Sequence, residues 1–267
     1  MPFFELDGYR LYYEIHGQGF PLVLIRGLGS NMEHWYEQIP AFSRQYQVVA
    51  FNNRGIGTST APPLPWSIRE MAEDVAALIQ AVAGGRAHVL GISMGGMIAQ
   101  ELALGWPERV ASLVLTATHC GGAHKVPPSA ETMDLFAKLV NGTTFAEQME
   151  GRKALFSLET LDHRPDVLER YAQVAAAYAC PPEVMQGQWE AIQEFDSFER
   201  LPMISAPTLV LAGADDRLVP QGNAELLAGR IPGAKLVFIP QAGHQLLIEA
   251  PRATNAAALG FLASLQG

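Results

Sequence analysis

His88-Val89-Leu90-Gly91-Ile92-Ser93-Met94-Gly95-Gly96 reads as an apolar strand that stops at a serine and turns at once into a helix reaching about Leu104. A short apolar run bounded by turn residues is the pattern of a buried parallel strand. Glycines on both sides of Ser93 leave room for a sharp strand-to-helix turn, where the serine adopts a strained backbone and its hydroxyl stands clear of the sheet. The helix that starts there aims unpaired N–H groups, and the positive end of its dipole, at any negative charge developing nearby. Gly-x-Ser-x-Gly alone is a short and common pattern. Its position at a strand–helix junction gives it weight.

The flanking sequence repeats the same alternation. Residues 21–25 (PLVLI), 47–51 (QVVAF) and 110–116 are further apolar strands, and residues 3–6 and 11–16 pair across the Asp7-Gly8 turn. Between them, Ile68, Met71, Ala72, Val75, Leu78, Ile79 and Val82 recur at helical spacing, with Ser67 as N-cap and Gly84-Gly85 as the stop. Strand and helix in alternation imply a mostly parallel central sheet with helices on both faces, an α/β fold. The alternation stops after Thr118. Helical stretches at 129–140, 144–158, 165–179 and 182–195 then follow without a convincing strand, until 208–212 (TLVLA), 235–239 (KLVFI) and a final helix from Pro251. The expected organisation is a core of residues 1–120 and 201–267, with residues 121–200 as an all-helical cap inserted after the sixth strand.

The chain has 267 residues, enough for a sizeable core; 49% are apolar and 17% charged, which suits a globular protein. A net charge of −9 argues against nucleic acid or an anionic membrane as partner. The N-terminus lacks a basic region followed by a long apolar run, and no uncharged stretch approaches a membrane span, so the expected location is cytoplasmic. Cys120 and Cys180 fit neither a disulfide framework nor a metal site and are expected as free thiols. No His/Cys/Asp cluster suggests a metal. Arg54-Gly-Ile-Gly57 lacks the third glycine of a dinucleotide loop, so no cofactor is expected.

A serine hydroxyl needs a base to take its proton, and the base needs an orienting acid. Of seven histidines, His16 lies in the N-terminal hairpin, His88 at the wrong end of its strand, His34 in the helix after the first glycine turn, and His124 and His163 in the helical insertion. His119 follows a strand at the carboxyl edge and can approach the site. His244, in the loop after the last strand and preceded by a glycine, is the better placed. The acid should come from the same edge of the sheet. Asp215 and Asp216, after the TLVLA strand, both qualify.

Taken together, GISMGG at the turn, GADDRLVP in the acid loop, AGH near the C-terminus and the order Ser, Asp, His resemble the α/β-hydrolase superfamily over nearly the whole chain. The resemblance implies Ser93, Asp216 and His244 as the catalytic residues, Asp216 being chosen over Asp215 by its distance from the preceding glycine. It implies the backbone N–H groups of Leu28 and Met94 as the oxyanion hole. Two departures stand out. Arg26 occupies a position where relatives usually have histidine, and Asn52 replaces an aspartate in the loop Asn52-Asn-Arg-Gly-Ile-Gly57, which is read as structural. A buried Arg26 needs either a carboxylate partner or a polar part of the substrate.

Within the superfamily the chain is most similar to small serine esterases and lactonases of the enol-lactonase and methylesterase type. That implies cofactor-free cleavage of a small, largely apolar ester or lactone. The helical insertion offers Phe136, Phe145, Met149, Phe156, Tyr171, Tyr178 and Trp189 for the pocket wall, and Arg26, Phe145 and Trp189 are the expected substrate contacts. A carbon–carbon bond hydrolase, a cofactor-free perhydrolase and a non-catalytic ligand receptor are the other readings of the same motifs.

Overall fold

The computed structural model describes residues 2–265. One sheet contains β1 (Phe3–Leu6), β2 (Tyr9–His16), β3 (Pro21–Ile25), β4 (Gln47–Phe51), β5 (Ala87–Ile92), β6 (Val110–Thr116), β7 (Thr208–Gly213) and β8 (Lys235–Ile239). Their order is β1-β2-β4-β3-β5-β6-β7-β8. The pairs β1–β2 and β2–β4 are antiparallel, and every other pair is parallel. The α-helices are α1 (Ile39–Phe42), α2 (Ile68–Val82), α3 (Met94–Gly105), α4 (Ala130–Asn141), α5 (Phe145–Arg152), α6 (Leu158–His163), α7 (Pro165–Ala177), α8 (Pro182–Glu194), α9 (Gln221–Arg230), α10 (Leu246–Glu249) and α11 (Pro251–Ala263).

Side chains on successive strand residues point to opposite faces, and the core divides on that rule. Val23, Ile25, Val49, Val89 and Leu113 pack with α2, α3 and α9. Their neighbours Leu22, Leu24, Val48, Leu90 and Val114 pack with Phe42, Ala258, Phe261 and Leu262 of α1 and α11. The sheet is therefore covered on both faces, the α/β-hydrolase arrangement. Strand β3 lies between β4 and β5, so the chain leaves it in one direction and later returns to its other side. The loops after β3 and β5 consequently meet at the carboxyl edge of the sheet, where α/β proteins place ligands.

Helices α4–α8 all lie between β6 and β7. The two ends of this stretch run side by side, through the Gly121–Asp196 bridge and bonds from Gly122 N to Phe195 O (3.0 Å) and Ser197 N to Cys120 O (2.8 Å). Phe136, Leu139, Leu155, Phe156, Val167 and Tyr171 form an apolar cluster within it. The helix expected over 144–158 stops early, at Arg152, and α6 begins only at Leu158. After α5 and one 3₁₀ turn, Phe156 is extended, and Ser157 caps α6 by accepting from Thr160 N at 3.1 Å. A serine in extended conformation is a favoured start for the next helix. His34, expected in a helix, lies in the 3₁₀ turn Met32–Trp35. Both cysteines are free, and burial raises their thiols, Cys120 to about 11 and Cys180 to about 12. Among the described residues no helix is long and apolar enough to cross a membrane.

Candidate active site

Ser93 stands where β5 becomes α3, with φ 57° and ψ −122°. Few non-glycine residues occupy such a backbone, and those that do are held there by their surroundings. Here Ser93 N donates to Thr116 O (3.0 Å), while Ser93 O accepts from Thr118 Oγ1 (2.8 Å) and Gly96 N (2.9 Å). The glycines are required by close packing. A Cβ on Gly91 would strike the carbonyl of Gly95, one on Gly95 the carbonyl of Ile25, and one on Gly96 the Thr118 side chain at 2.6 Å. Met94 is the first residue of α3, so its N–H has no intrahelical acceptor.

The turn after β3 comes against the same serine. Ser30 N donates to Gly27 O (3.2 Å), and a Cβ on Gly27 would lie 3.0 Å from Ser93 Cβ. This contact brings Leu28, the next residue, beside the Ser93 side chain. Asn52, the residue at the aspartate position, accepts from Met32 N (2.8 Å), and Asn53 donates to Arg26 O (3.0 Å). That loop supports the turn from beneath.

Asp216 follows β7 and His244 follows β8. His244 Nδ1 and Asp216 Oδ2 are 2.9 Å apart, with side-chain exposures of 2% and 0%. The other carboxylate oxygen accepts from Leu218 N (2.9 Å) and Val219 N (2.8 Å). Asp215 is exposed. An ionised Asp216 requires the imidazole proton on Nδ1, which leaves Nε2 as a lone-pair base. The loop carrying His244 is tied down at Gly243, whose N–H donates to Glu249 Oε1 (2.9 Å), while Ser157 N and Oγ donate to Oε2 (2.9 and 2.8 Å). Burial raises the Glu249 carboxyl above its ordinary value, against the pull of these donors. His119, the competing base, accepts from Gly121 N at 3.0 Å, and burial lowers it to about 3.

Two cavities meet at Ser93, and Leu28, Phe136 and Leu218 line both. The first also contains Arg26, Asn31, His34, Arg152, Tyr171, Tyr178, His244 and Gln245. The second is largely apolar, walled by Met97, Val126, Pro127, Met133, Trp189 and Ile192, with His119 at its side. Arg26 and Trp189 therefore reach the site, one in each cavity. Phe145 does not: it opens α5 on the surface, 52% exposed, and lines neither. Its apolar character fitted a pocket wall, but position one of a short helix turns it outward. The carboxylate partner considered for Arg26 is also not there; its neighbours are Ser30, Gln245 and the Trp35 ring. Arg152 escaped the sequence reading. The available signal was that residues 148, 149, 155 and 156, at helical spacing from it, include no acid. Among the described residues, no group of three or more His, Cys, Asp or Glu side chains is arranged to hold a metal.

A family model described as "alpha/beta hydrolase fold" matches residues 21–251. A protein of Azorhizobium caulinodans named "Putative carbamate hydrolase RutD" is 32% identical over 98% of both chains. One of Mycobacterium tuberculosis named "Putative non-heme bromoperoxidase BpoC" is 33% identical, over 96% of this chain and 99% of its own. Among solved structures, the enol-lactonase of Burkholderia xenovorans LB400 superposes with a TM-score of 0.86 at 26% identity, covering 98% of this chain and all of that one.

Proposed function

The chain belongs to the α/β-hydrolase family, and from that footing we propose that it is a serine hydrolase cleaving carboxylic esters or lactones through an acyl-enzyme on Ser93. The observation that carries this reading is His244, on the wall of the cavity that also holds the strained Ser93, with the buried Asp216 carboxylate 2.9 Å behind its Nδ1. His244 Nε2 takes the Ser93 proton as the oxygen attacks the acyl carbon. The carbonyl electrons move to an oxyanion held by the N–H groups of Leu28 and Met94. The imidazolium then gives its proton to the leaving oxygen as the acyl–oxygen bond breaks. Water repeats the sequence on the acyl-enzyme and returns the proton to Ser93. Each oxyanion donor is worth about 3 kcal/mol of transition-state stabilisation.

The similarity to an enol-lactonase supports an ester or lactone carbonyl, and the relatives named for carbamate hydrolysis make a carbamate the natural comparison. All three bonds present an acyl carbon to the same nucleophile. The test is Ser93→Ala, assayed with p-nitrophenyl esters of graded length, a lactone set and an aryl carbamate, beside labelling by a fluorophosphonate probe. Turnover and labelling should both vanish. Undiminished turnover in the variant would sink the assignment, and the rank order of the three substrate sets in the parent protein identifies the bond.

A further inference from the structure

The first cavity holds two buried arginines and no acid to pair with them. Arg26 is 1% exposed, and its contacts are all neutral: Nε donates to Ser30 Oγ (3.1 Å), Nη2 to Gln245 Oε1 (3.4 Å), and the guanidinium lies 4.7 Å from the Trp35 ring centroid. Its Nη1 is buried without a partner. Arg152 is 7% exposed, forms no ion pair among the described residues, and also buries an unpartnered Nη1. Asn31 adds a third donor: its Oδ1 accepts from Glu33 N (3.0 Å), which fixes the amide and leaves Nδ2 unbonded. Arg26, Asn31 and Arg152 line this one cavity together with His34, whose value burial and the two positive charges hold well below the ordinary one. Elsewhere the fold treats a buried arginine differently: Arg54 meets the Asp74 carboxylate at 2.5 and 3.0 Å.

A desolvated guanidinium without a counter-charge is among the costliest groups to bury, and an unsatisfied donor beside it adds to the cost. Three such donors in one cavity with Ser93 describe a site for an anion with oxygen acceptors, and two arginine forks suit a carboxylate. The second cavity opens from the same serine and is apolar.

We propose that Arg26, Arg152 and Asn31 form a carboxylate subsite, so that the substrate carries a free carboxylate on one side of the scissile bond and an apolar group on the other. Half-esters of short dicarboxylic acids have this chemistry. The proposal rests on the hydrolase reading for its substrate, but not for its ligand.

Two measurements separate them. In the first, the parent protein is titrated calorimetrically with butyrate and with butyramide. Butyrate should bind about tenfold tighter or better, and Arg152→Gln and Arg26→Gln should each remove most of that preference, while Arg152→Lys recovers part of it. In the second, kcat/KM is compared for p-nitrophenyl hydrogen glutarate and the same ester with its free carboxyl methylated. The parent protein should favour the charged ester by about tenfold, through KM. Equal binding of butyrate and butyramide overturns the subsite, whether or not esters are cleaved. An active enzyme with equal kcat/KM for the two glutarates overturns it as well. Selective butyrate binding without cleavage of any ester supports the subsite and rejects the hydrolase reading instead.

Discussion

Asp216 uses both oxygens, one on His244 Nδ1 and the other on two backbone amides of its own loop. Those amides make Asp216→Asn a sharp test. They will hold the carbonyl oxygen of the asparagine, turning its NH₂ toward the imidazole. Nδ1 must then accept, the ring proton moves to Nε2, and the base is lost without disturbing the fold. Steady-state kinetics should show kcat lower by about 10⁴ with thermal stability nearly unchanged. Retention of a tenth of the activity would remove Asp216 from this role. The placement of Ser93, Asp216 and His244 at one edge of the sheet was legible because each stands in a short motif whose local geometry depends on its own neighbours. Arg152 and Asn31 were not, since their meaning comes from acids that are missing in space. Phe145 shows the opposite failure, an apolar residue given a wall position that its place on the helix denies it.

Among the elements, α2 was readable from end to end. Its apolar positions repeat at helical spacing, Ser67 and Glu70 form a reciprocal capping box, and Gly84 and Gly85 at φ 63° and 84° follow its last turn. Ser67→Ala should cost about 1 kcal/mol, a fall in Tm of about 2–4 °C for a chain of this size, with kcat and KM unchanged. A Tm equal to the parent's by scanning calorimetry would show that the cap contributes nothing. The strands were equally plain, because buried parallel strands are nearly continuous apolar runs. The break between α5 and α6 was hidden by an apolar pattern that runs through it. α5 has already ended at Arg152; beyond the 3₁₀ turn, Ser157 is held as the cap of α6 by Glu249, 92 residues away, and no window of local sequence contains that partner.

At the scale of the whole molecule, three largely buried histidines contribute to behaviour in acid. Burial lowers His34 well below its ordinary value, His88 to about 4 and His119 to about 3, with the nearby cations Arg26, Arg86 and Lys125 adding to the effect in turn. Their folded values lie below the ordinary value near 6.5, so the unfolded chain takes up protons first. The stability these histidines contribute is present above about pH 6.5 and is lost as the pH drops toward the folded values. Urea titrations at pH 7 and pH 5 should show this loss, and His88→Asn should reduce it. A midpoint independent of pH over that interval would contradict it. The strained backbone at Ser93 bears on the same reserve. A domain is stable by only about 5–15 kcal/mol in all, and one residue at such a φ and ψ costs about 1–3. Glycine would relieve most of that strain and would remove the hydroxyl with it. Selection for folding alone would therefore drift away from serine at this position, and on the proposed function it is turnover that keeps the hydroxyl there.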